Sequence, residues 1–201
     1  NYDEFDDFKN YINNIELNLC VVTQSTRIGL AELFSNVNKG MVLNGQEKRN
    51  AIPCKFGQLV RDSVKKHADG FGRLFSKINK NKETPDEKKI NRRFPDELIV
   101  KTAVIVTHGT VKGLFSPPLD AAYSDNTAEV LTFNHTEKII SQLTNFAVKY
   151  GKSAFAAGGS YDSNMIDLIM LLNHLNKNKV VIEDDKAFYN WFSATQLKRI
   201  D

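Results

Sequence analysis

Apolar residues recur at helical spacing along most of this chain, and that recurrence limits the folds open to it. Leu30, Leu33, Phe34 and Val37 follow i, i+3, i+4, i+7, and so do Phe71, Leu74, Phe75 and Ile78. Phe56, Leu59, Val60 and Val64 form a similar stripe, as do Ile139, Ile140, Leu143, Phe146, Ala147 and Tyr150. Residues so spaced share one helix face, which another element must cover. The expected fold class is therefore mainly α: a helical domain of seven to nine helices with one or two short strands near the N-terminus.

Punctuation signals divide the stripes. Phe5, Phe8 and Ile12 suggest a short helix over 4–13, and the Val-containing run LNLCVV from Leu17 to Val22 reads as a strand. Ser25 is placed to cap the next helix and Gly40 to end it. Asn44 followed by Glu47 has the spacing of a capping box, which predicts a helix through Arg49 that stops near Pro53. A break is expected at Asp69-Gly70. The run NKNKETPDEKK, residues 79–89, lacks apolar residues and contains Pro85, so it reads as a mobile loop. The body after Pro95, LIVKTAVIVTHG, suits a strand by propensity, but Pro-Asp-Glu is a helix start and the segment exceeds usual strand length. Asn134 and Glu137 suggest a second capping box, with Gly151 as its helix's end. Residues 163–173 are apolar nearly all round and read as a central buried helix, and a last helix should hold Phe188, Trp191 and Phe192.

Hydrophobic residues are 41% and charged residues 25%, ordinary for a soluble protein. No apolar run approaches the roughly 18 residues of a membrane span, and the acidic opening NYDEFDDFKN lacks a signal-peptide core. A cytoplasmic location is expected. The first residue is Asn1 rather than Met, as in a trimmed or processed chain. Cys20 and Cys54 form no CxxC pair, and His67, His108, His135 and His174 have no metal-ligand spacing, so reduced thiols and no metal site are expected.

The net charge of +3 is modest but its distribution is uneven. Residues 51–93 hold 12 Lys/Arg against 5 Asp/Glu, whereas both flanks are slightly acidic. Such a block focuses a field on a polyanion, the alternative being a solvated helix face plus a basic loop. The candidate phosphate contacts are Lys55, Arg61, Lys65, Lys66, His67, Lys88, Lys89, Arg92 and Arg93, joined by Arg49 and Asn50 at what should be the exposed end of the short helix. Arg suits phosphate through paired hydrogen bonds, but Arg49 serves an internal ion pair equally well.

Catalytic motifs are wanting. Neither GxxxxGK[ST] nor GxGxxG occurs, and Ser153, Ser160 and Ser163 have no GxSxG context. Gly158-Gly159-Ser160 reads as a flexible turn. His108 suits a helix C-terminus, and Asp120 and Asp125 near Tyr123 lack a third partner for a metal. No catalytic residue is assigned in this chain.

The string from Leu33 to Ala51, LFSNVNKGMVLNGQEKRNA, resembles the ParB/sulfiredoxin-like domain family of GmrSD-type, modification-dependent restriction endonucleases. The matching positions are Phe34, Asn38, Gly40, Leu43, Glu47, Arg49, Asn50 and Ala51, with one residue fewer than usual between the Asn-Gly turn and Leu43. A looser likeness follows at Arg92, Arg93, Asp96 and Glu97, and at Leu119, Asp120 and Tyr123. The resemblance implies that residues 1–52 end a ParB-like α+β core, with the short strands as its remnant, and that 53–201 form a helical domain. It implies a DNA-associated module of a restriction-like or phage-encoded relative, acting in phage defence or restriction-modification. The family's D-G-Q-Q-R motif lies upstream of the Phe34 segment and does not occur here; Asn44 to Arg49 is not a copy of it. Nucleoside triphosphate and Mg are thus implied only for a longer protein carrying that motif before Asn1, and no HNH-type constellation is present. The expected partners are DNA, and another protein or a preceding core. The competing reading is a helical protein-interaction module without catalysis of its own.

Overall fold

The computed structural model describes residues 43–79, 82–109, 116–124, 130–151, 155 and 161–197, with isolated positions 21, 23, 26, 29, 30 and 33 before them. Much of what the sequence suggests before residue 43 lies outside the described residues: the 4–13 helix, Cys20, Phe34, Asn38, Gly40 and nearly all of the 17–22 strand. Asp125 and Gly158-Gly159-Ser160 lie outside them too. Val21 is in no regular element, and residues 29, 30 and 33 are helical.

The fold is mainly helical, as the periodicity requires. In chain order come α1 (Gly45–Asn50), α2 (Lys55–Lys66), α3 (Ala68–Leu74), β1 (Ser76–Asn79), β2 (Lys82–Pro85), α4 (Glu87–Asn91), α5 (Phe94–His108), α6 (Ser116–Ser124), α7 (Val130–Tyr150), α8 (Tyr161–Lys177) and α9 (Asp185–Leu197).

Helix α5 is the hub, packing against α1, α2, α4, α6, α7 and α8. Its Leu98, Ile99, Val100, Ala103, Val104, Ile105 and Val106 are all buried. That wrapping explains how a β-branched segment stays helical: burial of each large side chain contributes about 1.5–3 kcal/mol, more than its propensity deficit of a few tenths. Pro95 sits in its first turn, and Gly109 ends it in the left-handed region at φ 67. Helix α7 lies against both α3 and α5, supplying Ile139, Ile140, Leu143 and Ala147 to the core, and Gly151 at φ 72 follows its end. Helix α8 adds Met165, Leu168, Ile169 and Leu172.

Four local expectations are corrected. The stripe through Ile78 is not one helix: α3 stops at Leu74, and Ser76 begins a two-stranded antiparallel hairpin in which Ser76 faces Pro85 and Asn79 faces Lys82. Much of the 79–89 run therefore belongs to β1, β2 and α4 rather than to a loop. Phe75 makes the turn, and its carbonyl accepts from Asp86 N at 2.7 Å, closing the hairpin's base. The chain breaks at His67 rather than at Asp69-Gly70, and Gly70 lies inside α3, buried against Thr144. Asn134 caps nothing, because α7 starts at Val130 and places it inside the helix.

Candidate nucleic-acid interface and the motif network

The Asn44–Asn50 stretch folds as its spacing requires. Asn44 Oδ1 accepts from Glu47 N at 2.8 Å, and Asn44 N donates to Glu47 Oε2 at 2.6 Å, completing the capping box. Asn44 Nδ2 also donates to the Arg92 carbonyl at 2.7 Å, so the start of α1 abuts the turn between α4 and α5.

Within α1, Gln46, Arg49 and Asn50 stand at i, i+3 and i+4 and share the inner face. Gln46 is fully buried; its Nε2 donates to Tyr123 Oη at 2.7 Å and Asn50 Oδ1 at 3.0 Å, and its Oε1 accepts from Arg49 Nε at 3.0 Å. Arg49 Nη1 donates to Asp120 Oδ1 at 2.8 Å. Asn50 Nδ2 donates to Asp96 Oδ1 at 2.8 Å, at the positive end of α5. Tyr123 Oη completes the circuit by donating to Asn50 Oδ1 at 3.3 Å. Burial pushes the Tyr123 phenol well above the ordinary tyrosine range; the Gln46 hydrogen bond and the Arg49 charge oppose this, and the charges of Asp96 and Cys54 add to it.

This network corrects the placement of Arg49 and Asn50 at an exposed helix end. Arg49 is buried and Asn50 half-buried, because their partners lie on α5 and α6 rather than in solvent. Helix α1 meets Arg92, Asp96, Asp120 and Tyr123 here through hydrogen bonds that cross the 52/53 division drawn from sequence. The arrangement joins α1 to the helical body and holds a phenol protonated. Arg49 does not reach a phosphate from here without leaving Asp120 and Gln46.

A second cluster withdraws part of the basic block. Glu137 accepts from Lys66 Nζ at 2.7 Å, from His67 Nε2 at 2.8 Å and from the buried Ser63 hydroxyl. His67 Nδ1 also lies 3.3 Å from Thr144 Oγ1. Burial would push the Glu137 carboxyl up, but the bonds from Lys66, Ser63 and His67 outweigh it and hold it below the usual glutamate range. His67 is thus fixed between α2 and α7 rather than joining a free basic surface, which corrects that expectation. Lys66 stays largely in solvent despite its pairing. Glu137, read from sequence as a cap, is the residue that sequence reasoning missed. Its spacing after Asn134 masked its role.

The remaining cations fall into two groups. On α2, Lys55 and Lys65 are exposed and Arg61 is half-buried, its Nη2 donating to Gln58 Oε1 at 3.0 Å. Around the α4–α5 turn, Lys88, Arg92 and Arg93 are exposed and Lys89 is half-buried. Arg92 Nε lies 3.4 Å from Glu47 Oε1, and Lys89 Nζ lies 5.8 Å from the centroid of the Phe94 ring. Both α2 and α4 pack on α5. Lys55, Lys65, Lys88 and Arg93 pair with no carboxylate among the described residues.

Elsewhere, α7, the end of α8 and the start of α9 border a hollow of about 280 Å³ lined by Gln142, Phe146, Lys149, Val181, Ile182 and Asp185. Among the described residues, no group of three or more His, Cys, Asp and Glu side chains is placed to hold a metal ion, and no helix is long and apolar enough to cross a membrane. No protein-family model matches the chain, and no curated protein or solved structure matches it.

Proposed function

We propose that this chain is a nucleic-acid-binding helical module, DNA being the expected ligand, from a relative of the GmrSD-type family acting in the cytoplasm. Its phosphate contacts are Lys55, Arg61, Lys65 and Lys66 on α2, and Lys88, Lys89, Arg92 and Arg93 at the α4–α5 turn. The observation that carries this reading is that four cations of residues 51–93, Lys55, Lys65, Lys88 and Arg93, are exposed without carboxylate partners among the described residues. Arg49, Asn50 and His67 drop out of the contact set and act as structural groups. No base-reading element is assigned, so sequence preference is weak. A nucleoside triphosphate with Mg belongs to this reading only for a longer protein that carries the upstream motif.

The test is binding of a labelled 20-base-pair duplex across a salt series. Four to seven phosphate contacts give a log–log slope of about −4 to −6. The triple variant Lys65→Gln, Lys88→Gln, Arg93→Gln should reduce the slope by about 3. A chain that binds neither duplex nor single strand at low salt would sink the proposal.

The second reading, a protein-interaction module, is favoured by one observation. Val180 and Val181, which line the hollow bordered by α7 and α9, are each more than half exposed, and so is Trp191 on α9. Loss of nucleic-acid binding would leave that reading in first place.

A further inference from the structure

We infer that the nucleic acid this module takes is unpaired, one of its bases stacking on Phe94; this rests on the nucleic-acid reading above. Phe94 opens α5 and keeps 38% of its surface exposed, large for a Phe whose neighbours Pro95 and Phe75 are buried. Its presentation is fixed from both sides. Arg93, immediately before it, holds the left-handed conformation at φ 64, ψ 30, which a residue other than Gly adopts only when its surroundings impose it. Pro95, immediately after it, locks the first turn of the helix.

Behind the ring stands a row of aromatics. Phe94 meets Phe75 edge-on, with centroids 6.3 Å apart at 65°, and Phe75 stacks on Phe71 at 6.3 Å and 21°. Phe71 and Phe75 belong to the core, so the exposed ring is a rigid outer end rather than a loose side chain. Lys89 Nζ lies over the ring at 5.8 Å from its centroid, and Lys88 and Arg93, its neighbours in the α4–α5 segment, are exposed. A planar apolar face with a lysine ammonium over it, in a segment rich in exposed cations, matches a base and its phosphates, and base–aromatic stacking tolerates any base. A duplex keeps its bases stacked inside and offers this site only phosphates, so it gains nothing from the ring. The Lys89 ammonium leaves the ring for a phosphate on a long flexible stem, giving up one cation–π contact.

The experiment compares 12-nucleotide oligo(dT) and oligo(U) with a 20-base-pair duplex on the native protein, Phe94→Leu and Phe94→Tyr, with a thermal melt of each variant. Leu keeps apolar cover over Phe75 but has no π face; Tyr keeps both. The expected result is that Phe94→Leu weakens one or both single strands by about 5-fold or more, that Phe94→Tyr stays within about twofold of native, and that duplex affinity is unchanged. Single-strand binding by Phe94→Leu within about twofold of native overturns the stacking inference and leaves the nucleic-acid reading standing. Equal loss for strand and duplex also overturns it, because an unfolded patch rather than a lost ring would then be responsible. Binding of no probe at all removes both.

Discussion

Arg49 Nη1 lies 2.8 Å from Asp120 Oδ1, yet the two side chains sit in different media: that of Arg49 is 5% exposed and that of Asp120 58%. The pair is therefore energetically lopsided. Replacing Arg49 by Leu strips the buried Gln46 Oε1 of its donor, at a cost of about 1–3 kcal/mol. Asp120→Asn leaves an oxygen for the guanidinium in a position water already screens, and should stay within about 1 kcal/mol of native. Urea midpoints of the two variants measure the asymmetry; equal losses would mean that Arg49 is not anchored through Gln46.

Tyr123 gives a prediction at alkaline pH. An unfolded tyrosine ionises near pH 10. In the fold, burial raises that value, so the native state keeps its proton where the unfolded chain has lost it. The stabilisation is complete below about pH 10 and falls as pH rises from there toward the folded-state value, by at most about 1.4 kcal/mol per pH unit. Tyr123→Phe removes this slope. It also leaves one N–H of the buried Gln46 without an acceptor, at about 1–3 kcal/mol near neutral pH. Urea midpoints of native and variant at about pH 8 and pH 11 should converge; parallel curves would contradict the buried phenol.

The legible parts of this fold are those written in local chemistry. Asn44 and Glu47 announce a capping box, Pro95 a helix start, and Gly109 and Gly151 helix ends, and each acts through atoms a few residues away. The start signal at Pro95 also identifies α5 correctly against its strand-like composition. The 46/49/50 face is equally legible, but its direction is not. Arg49 finds Asp120 71 positions downstream, and no local rule separates an inward Arg from one that reaches solvent. The β1–β2 hairpin escapes because its pairing is carried by backbone bonds under a polar sequence, where apolar alternation gives no signal. Asn134 misleads because the N-x-x-E spacing also occurs inside helices. Its Glu137 is engaged by Lys66 and His67, some 70 positions upstream.

Glu137 sets the acid limb. Its folded-state value is depressed, so the stabilisation is present above the ordinary glutamate value, about pH 4.3, and is lost as pH falls through the folded-state value. Glu137→Gln should remove that part of the acid transition. Near neutral pH it should cost about 1–3 kcal/mol, since Lys66, His67 and Ser63 lose a charged acceptor. Acid titrations of native and variant followed by circular dichroism check this; superimposable acid limbs would place the α2–α7 tie elsewhere.

Two glycines of α3 test how closely that helix crosses α7. A methyl group at Gly70 would collide with Thr144 Cβ and stand 2.9 Å from its Cγ2 and 3.0 Å from its Cα. Rotating the Thr144 side chain moves only Cγ2. Relieving the crowding against its backbone needs the two helices to shift apart, so Gly70→Ala should cost about 1–3 kcal/mol. Thr144→Ala in the same chain should not restore it, because Cβ and Cα remain. Two positions on, a methyl at Gly72 meets nothing nearer than Pro85 Cγ at 3.6 Å, an ordinary van der Waals separation. Gly72→Ala therefore keeps the packing and removes glycine's excess freedom in the unfolded chain, a gain of about 0.4–1 kcal/mol. Thermal melts of the two alanine variants should move in opposite directions; a shared direction would mean that α3 and α7 do not cross as closely as described.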